Sequence, residues 1–412
     1  MRTKHYYKIS SFFKKIHKRL KMHRSIFLII LVGILTRLFI SPFFCQSIDC
    51  GNWHAYGNIV LNNYKDLYKD IEKSGYFYPP AWGLTLAIPA FLLKTFDIKE
   101  LWGIWFLIKL PQIIFSTLLA ILIFKISKSI KLTSLYFLNP FVIFLDSVWG
   151  AFDVIPAFFF FWGYINFIQK NYTLSAISLG LGISYKIFPV LSIPFILLLM
   201  QKNNLPKFIF SLIFTIIIIF LPFILTNPAG LVDAILYNGR RGVGWEMHIW
   251  TFFNVLKHFY PINIDFSQKL LYWNVKFPVL IFFFFYIFLL YLFYRFKNKK
   301  HCTISYFLTP ILLFYILYHW VTPSFVVWSF PFLLILFRRN MFSKIALIYI
   351  SLVGIFVELA ANQTYHTISN VYFSIHLPPM DASFYFFVTA CGFIIIWLLT
   401  ISKLIKCNLK LI

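Results

Sequence analysis

Apolar runs close to the length of a membrane span recur along this 412-residue chain. The first is residues 25–44, SIFLIILVGILTRLFISPFF. A helix needs about 20 consecutive apolar residues to cross the hydrocarbon core of a bilayer. Of all residues, 60% are hydrophobic and 12% are charged, so the runs are not isolated. The pattern therefore predicts an all-α polytopic membrane protein.

Further apolar segments follow the first, and with it they predict a bundle of about 11–13 membrane segments with two large outer loops. They are 80–96, 101–126, 135–149, 151–168, 173–200, 208–226, 276–296, 303–319, 321–337, 344–360 and 384–405. The expected organisation is a basic segment at 1–24, a membrane module at 25–226 that contains a first outer loop at 45–79, a second outer loop at 227–275, and C-terminal membrane helices at 276–412.

Positive charge is concentrated beside the apolar runs. The chain has 38 Lys and Arg against 13 Asp and Glu, a net charge of +25, and residues 1–24 hold basic but no acidic residues. Short basic stretches next to membrane segments mark the cytoplasmic face. We therefore predict a cytoplasmic N-terminus whose basic amphipathic segment lies on anionic membrane lipids, and no nucleic-acid partner. The expected location is the cell membrane, with the endoplasmic reticulum as the alternative.

The expected sides of the loops conflict with two ordinary membrane crossings at 80–96 and 101–126. Residues 45–79 are expected outside because they follow the first span, yet two crossings would place the next basic loop outside as well. One of the two elements should be re-entrant or broken, and Pro89 or Pro111 could supply the break.

Segment 173–200 is longer than one crossing needs. It contains Lys186, Pro189 and Pro194, and each proline removes a backbone donor from a helix. We expect two half-length helices that meet inside the membrane.

Cys45 and Cys50 lie close together just after the first span. They could form a disulfide because the outer compartment is oxidising, but their spacing alone leaves this open. The sequence contains no P-loop, GxGxxG or CxxC motif. That absence argues against an ATP-driven pump and against a dinucleotide enzyme.

Ionisable residues within or beside the apolar segments are the candidate functional groups, because charge at membrane depth is costly and is usually paired or functional. They are Arg37, Asp49, Asp146, Asp153, Lys186, Glu246, His319 and Glu358. Pairing of Asp146 or Asp153 with Lys186 is the structural alternative to function. For Arg37 and Glu358 we expect packing or snorkelling.

Several of these residues belong to short motifs that occur in a fixed order. The motifs are Asp49 after the first span, Tyr-Phe-Tyr-Pro-Pro at 76–80, Asn-Pro at 139–140, Trp-Gly-Ala-Phe-Asp at 149–153, and Lys-Ile-Phe-Pro at 186–189. Together they resemble the GT-C superfamily of integral-membrane glycosyltransferases. The nearest likeness is to its mannosyltransferase-like branches, which include the GPI mannosyltransferases and their prokaryotic relatives. The resemblance covers roughly residues 25–200.

The resemblance implies an inverting sugar transfer on the outer face, from a polyprenyl- or dolichyl-phosphate donor to a lipid-linked or cell-envelope acceptor. In the family an acidic residue of the first outer loop acts as general base, and Asp49 matches it. Asp153 matches an acidic residue after the Trp-Gly pair and is expected at the acceptor site, although Ala151 stands where related sequences often have glutamine. We assign Trp149, Tyr78 and Glu246 to acceptor or sugar binding. These are the sugar-side candidates.

A lipid-phosphate leaving group calls for positive charge or hydrogen-bond donors. Lys186, Arg240, Arg241 and His319 are the candidates, although the arginines could instead anchor lipid headgroups and His319 could be a structural histidine. The resemblance implies no cofactor, and a divalent metal stays open.

Two other classes of protein share some of these features. A flippase or other transporter for lipid-linked saccharides would also be basic and polytopic, but no repeat is visible in the sequence. An O-antigen-type ligase or polymerase would place its key charges in a large late loop, whereas Asp49 is early. The sequence therefore favours the glycosyltransferase hypothesis over both.

Overall fold

The computed structural model describes residues 24–69, 75–240, 264–296 and 302–336, with short pieces between 352 and 404. Helices account for most of these residues, so the prediction of a mainly α-helical protein is confirmed. Three described helices are long and apolar enough to cross a membrane, and a bent pair of helices would make a fourth. The three are Leu101–Ser127, Lys202–Thr226 and Pro278–Arg295, and the bent pair is Ile130–Phe137 with Pro140–Trp149.

In the N-terminal part of the structure, the predicted first outer loop contains regular secondary structure. Its elements are α1 (24–40), β1 (Phe44–Gln46), α2 (Ser47–Asn63), a 3₁₀ turn (Tyr64–Tyr68) and α3 (Pro80–Thr95). Helix α2 begins where the side chain of Gln46 accepts a hydrogen bond from the Asp49 amide at 2.6 Å. Helix α3 begins at Pro80, a position where the missing N–H of proline is harmless.

The next elements contain a sharp bend. They are α4 (Leu101–Ser127), α5 (Ile130–Phe137), α6 (Pro140–Ile143), a π-helical turn (Phe144–Trp149) and α7 (Val154–Ile168). The chain bends by 44° between α5 and α6, where Asn139 caps the amide of Phe141 at 2.9 Å. The predicted break at Pro89 or Pro111 was wrong, because both prolines lie inside continuous helices. Neighbouring helices can satisfy the one backbone group that each proline frees.

Segment 173–200 is broken as predicted. Helix α8 (Tyr172–Tyr185) ends at Lys186, whose backbone is extended, and a 3₁₀ turn (Phe188–Ser192) with Pro189 near its start leads into α9 (Ile193–Leu198). Ionisable and polar groups at such a break can face a cavity instead of lipid.

Three helices adjoin or lie within the predicted second outer loop, residues 227–275. They are α10 (Leu205–Thr226), α11 (Pro228–Arg240) and α12 (Ile264–Arg295). The predicted membrane segment at 276–296 agrees with the candidate span Pro278–Arg295, and α12 itself begins earlier, at Ile264. Polar residues ahead of Pro278 hid this start, since apolar length was the criterion.

The C-terminal half adds α13 (Thr303–Leu317), a 3₁₀ turn (Pro323–Phe325), α14 (Val326–Leu336) and α15 (Ala390–Ser402). A small antiparallel sheet pairs β1 with β2 (Tyr365–Thr367), and β2 with β3 (Tyr372–Phe373). This sheet was not predicted, because strands of two or three residues are too short for a periodic pattern. The predicted segments 1–24 and 344–360, and Glu358, lie almost wholly outside the described residues.

A buried ion pair joins α1 to the π-helical turn. The Nε atom of Arg37 lies 2.8 Å from Oδ2 of Asp146, and both side chains are inaccessible to solvent or nearly so. Arg37 Nη1 also donates to the carbonyl oxygens of Gly33 (3.0 Å) and Phe137 (2.8 Å). The expectation that Arg37 packs is therefore confirmed, because its guanidinium also lies 4.2 Å over the Phe137 ring, whereas snorkelling was wrong. Asp146 in turn is paired with Arg37 and not with Lys186.

Candidate functional site

A cavity of about 640 Å³ lies where the predicted first outer loop meets the broken segment and the turn after α13. Five of the predicted site residues line it. They are Asp49, Tyr78, Trp149, Asp153 and Lys186. Residues that are up to 137 positions apart in the sequence, from 49 to 186, therefore share one cavity wall.

Asp49 lies in the first turn of α2, where its own amide is held by Gln46. Its carboxylate oxygen Oδ2 accepts a hydrogen bond from the indole nitrogen Nε1 of Trp149 at 2.7 Å. Trp149 was predicted to bind the acceptor or sugar, and it does line the cavity, but its polar atom is directed to the predicted base. Burial, and after it the negative charge of Asp49, raise the pKa of Tyr56.

Gly150 follows Trp149 and has a left-handed backbone, with φ of +86°. A glycine is favoured there because a Cβ atom disfavours this conformation. The carbonyl oxygen of Gly150 accepts hydrogen bonds from Trp53 Nε1 (3.2 Å) and Gln112 Nε2 (3.0 Å). The backbone that carries Trp149 is thus fixed directly after the indole.

A disulfide joins Cys45 to Cys50 and closes a ring that includes Asp49. The sequence had left this bond open. The two sulfur atoms lie 3.9 Å and 3.7 Å from the carbonyl oxygen of Trp149. The disulfide therefore supports both partners of the Asp49–Trp149 contact. Asp49 lies within its ring, and its sulfur atoms lie against the backbone of Trp149.

Lys109 is a supporting residue that the sequence reasoning missed. It is fully buried in α4, and its Nζ atom donates to the carbonyl oxygens of Ser41 (2.8 Å), Ser147 (3.0 Å) and Phe44. These carbonyls belong to the end of α1, to β1 and to the π-helical turn. A lysine in the middle of an apolar run is costly in lipid, and this signal could have identified it.

Asp153 and Lys186 form the second polar group of the cavity. Lys186 Nζ lies 2.6 Å from Asp153 Oδ1, and Trp328 Nε1 donates to the same oxygen at 2.8 Å. The ammonium also lies over three aromatic rings, with the ring centres of Phe325, Phe152 and Trp328 at 4.6, 5.0 and 5.4 Å. The pairing that the sequence offered as a structural alternative is therefore present, while the predicted phosphate contact remains a prediction.

The Tyr-Pro-Pro motif fixes the entry of the chain into α3. The hydroxyl of Tyr76 donates to the Pro79 carbonyl at 2.8 Å and accepts from the Gly83 amide at 2.7 Å. Tyr68 donates to the carbonyl oxygen of Tyr78 at 2.8 Å. Burial raises the pKa of Tyr76 well above its usual value, so its phenol stays protonated. These bonds hold Tyr78 at the cavity wall.

The remaining predicted residues are not brought to the cavity by the described structure. His319 is fully buried beside Tyr318, with 4.4 Å between ring centres, and does not line the cavity, whereas Tyr318 and Trp320 do. The side chains of Arg240, Arg241 and Glu246 lie outside the described residues, although the backbone of Arg240 ends α11. Their predicted roles are therefore not tested by the structure.

The lining of the cavity also includes a set of apolar side chains, called the apolar arm below. The arm is lined by aliphatic and aromatic side chains of the broken segment, α11, α12 and α13: Ile187, Val190, Leu191, Ile235, Leu236, Val279, Phe282, Phe283 and Phe314. Val190 and Phe283 are 41% and 50% exposed, so the arm reaches the outer surface of the helices. The cavity lining thus combines two carboxylates and an ammonium group with apolar side chains, some of which are exposed.

Within the described residues, no three His, Cys, Asp or Glu side chains come together as a metal site would require. Neither a scan of protein-family models nor a search of curated proteins returned a match to this chain. The residues of the cavity are therefore the basis for a functional proposal.

Proposed function

We propose that this protein is an inverting membrane glycosyltransferase that moves a sugar from a polyprenyl-phosphate donor to a lipid-linked or cell-envelope acceptor. The observation that carries the proposal is a cavity whose lining combines Asp49, Asp153 and Lys186 with the apolar side chains of the arm. A lipid-linked sugar likewise combines a polar sugar phosphate with an apolar chain. The resemblance of the motifs to the GT-C superfamily supports this class, and it is the reason for naming mannose as the first sugar to test.

Asp49 acts as general base in the proposed reaction. The oxygen of an acceptor hydroxyl forms a bond to the anomeric carbon of the donor from the face opposite the phosphate. The hydroxyl proton passes to the Asp49 carboxylate, and the bond between the anomeric carbon and the phosphate oxygen breaks with its electron pair. The configuration is inverted, because one displacement occurs without a covalent intermediate.

Lys186 stabilises the negative charge that develops on the departing phosphate. Its contact with Asp153 keeps the ammonium at the cavity wall. Asp153 and Tyr78 face the same cavity and bind hydroxyl groups of the acceptor or sugar. Lys186, Asp153 and Tyr78 all line the cavity, so each can contact a substrate bound there.

The proposal includes the arrangement of the chain in the membrane. The N-terminus is cytoplasmic, the cavity opens towards the outer face of the cell membrane, and the apolar arm meets the lipid. The helices form a GT-C-like bundle of about 11–13 membrane segments. An outer location separates the site from nucleotide sugars, so a lipid-linked donor fits better than a nucleotide-linked one.

The test uses purified full-length protein in nanodiscs, tritiated polyprenyl-phosphate mannose as donor probe, and a membrane lipid extract as acceptor source. We expect Asp49→Asn to bind the donor with nearly unchanged affinity and to lose transfer by a factor of about 100 or more, because general base catalysis contributes about that much. Radiolabel in the acceptor fraction is the measurement.

Asp97→Asn is the matched control, since Asp97 is 78% exposed, pairs with Lys99 and lies outside the cavity. It should transfer like the natural protein. Transfer by Asp49→Asn at the normal rate would remove Asp49 from the role of base. Loss of transfer in EDTA that a divalent cation restores would show a metal requirement.

A further inference from the structure

The hydrogen bond between Trp149 and Asp49 joins two segments that are 100 residues apart in the sequence. We propose that Trp149 is a positioning residue that orients the Asp49 carboxylate and keeps it ionised. This inference rests on the proposed role of Asp49 as general base. It gives Trp149 a different task from the sugar binding that the motif resemblance implied.

The chemistry of indole suits this task. The Nε1–H of tryptophan is a donor only, so it cannot accept the proton that the base must take up. A donor directed at a carboxylate stabilises the charged form and lowers its pKa. It also fixes the rotation of the carboxylate, because the bond at 2.7 Å is made to one named oxygen, Oδ2. The proton from the acceptor therefore goes to Asp49 and not to its neighbour.

Trp149 can position Asp49 only if Trp149 is itself fixed, and the structure fixes it from several sides. Trp149 ends a π-helical turn, a feature that is frequent at functional sites. Just before it, the Ser147 carbonyl is held by Lys109 at 3.0 Å. Just after it, the Gly150 carbonyl is held by Trp53 and Gln112. Trp149 as a residue is only 7% exposed, although it lines the cavity.

The cavity contains a second contact of the same kind, which serves as a matched control. Trp328 Nε1 donates to Asp153 Oδ1 at 2.8 Å, but there the carboxylate also contacts the ammonium of Lys186. Loss of the indole donor at Trp328 should therefore leave Asp49 unaffected. The two tryptophans separate a specific effect on the base from a general effect of removing an indole from the cavity.

The experiment is an infrared difference titration of the full-length protein in nanodiscs, without any substrate. The carboxyl band of Asp49 is identified by its absence in Asp49→Asn. In Trp149→Phe the charged carboxylate loses a donor, so the midpoint of this band should rise by about one pH unit. Trp149→His keeps a ring N–H and should return the midpoint towards that of the natural protein. Trp328→Phe should leave it in place.

The natural protein offers a second measurement that needs no Trp149 variant. The indole N–H band that changes as Asp49 titrates should be missing from the difference spectrum of Asp49→Asn. An Asp49 midpoint that is unchanged in Trp149→Phe, or an indole band that does not respond in the natural protein, would overturn the inference.

Transfer assays with polyprenyl-phosphate mannose then link the titration to the reaction. The acidic limb of the pH–rate profile should move upwards in Trp149→Phe by the same amount as the infrared midpoint, and it should stay in place in Trp328→Phe. A shifted infrared midpoint together with no transfer by the natural protein would count against the proposed function and leave the positioning role intact. A shifted midpoint with an unshifted acidic limb would overturn the positioning role in the reaction.

Discussion

At the scale of single residues, the most consequential contact is the one that holds Lys186. Its ammonium lies 2.6 Å from a carboxylate oxygen and over three aromatic rings. Aromatic rings and a carboxylate can together stabilise a cation in a partly desolvated site. A phosphate that approaches Lys186 must share the ammonium with Asp153. In the proposed reaction, one cation would therefore contact both the leaving phosphate and the Asp153 carboxylate.

Replacing Lys186 by alanine tests this arrangement. We expect Lys186→Ala to weaken binding of polyprenyl-phosphate mannose by about tenfold or more, because a hydrogen bond between charged groups contributes roughly 1.5–3 kcal/mol. Equilibrium binding to protein in nanodiscs is the measurement. Lys99→Ala is the control, since Lys99 is 79% exposed. Unchanged affinity in Lys186→Ala would show that the lysine only pairs with Asp153.

At the scale of the elements, the sequence selected charged residues that the structure brings to one cavity, but it did not show how they are supported. Asp49, Asp153 and Lys186 could be selected because charge beside an apolar run is costly, and the structure places them in one cavity. The break at Lys186 was predicted from Pro189 and Pro194, which follow it in the same segment. The π-helical turn before Trp149 could not be predicted, because its geometry depends on Lys109 and Gln112 from another helix. Tertiary contacts decide such details, and local sequence does not encode them.

The disulfide between Cys45 and Cys50 is the covalent part of this support. It links β1 to α2 and rests against the Trp149 carbonyl, so it holds the turn that presents Asp49. We expect Cys50→Ser to lower the free energy of unfolding by about 2 kcal/mol, the chain-entropy value for a ring this short. Transfer should fall as well, because Asp49 loses its fixed position. Thermal unfolding and the transfer assay measure the two effects.

A reducing agent provides the same test on the natural protein. Reductant should lower its transfer rate and leave Cys50→Ser unchanged, since that variant has no disulfide to lose. Cys391→Ser is the control, because Cys391 lies outside the described disulfide. It should keep the sensitivity of the natural protein. A reduced protein with full transfer would show that the helix cap at Gln46 is enough to hold Asp49.

At the scale of the whole molecule, buried charges connect α1 and α4 to the π-helical turn that ends in Trp149, a residue of the cavity lining. Arg37 and Asp146 join α1 to the π-helical turn, and Lys109 of α4 contacts Ser41, which directly follows α1, as well as β1 and that turn. The site therefore lies against a polar scaffold inside an otherwise apolar bundle. Sequence reasoning identified Arg37 and Asp146 as costly charges but did not pair them, because the pairing depends on how α1 approaches a turn 109 residues later. Two residues so far apart in the sequence leave no local sequence pattern that would reveal their contact.

The buried pair of Arg37 and Asp146 can be tested by removing one or both of its charges. Arg37→Met should destabilise the protein by about 3–5 kcal/mol, because it leaves the Asp146 carboxylate buried without its partner. The double variant Arg37→Met with Asp146→Leu removes both charges and should lie closer to the natural protein, since an apolar pair of similar volume can replace a buried ion pair. Thermal unfolding of the full-length protein in nanodiscs gives the order: natural protein, double variant, single variant. Equal midpoints for the single and double variants would contradict the pairing and would mean that Arg37 acts through its bonds to the Gly33 and Phe137 carbonyls.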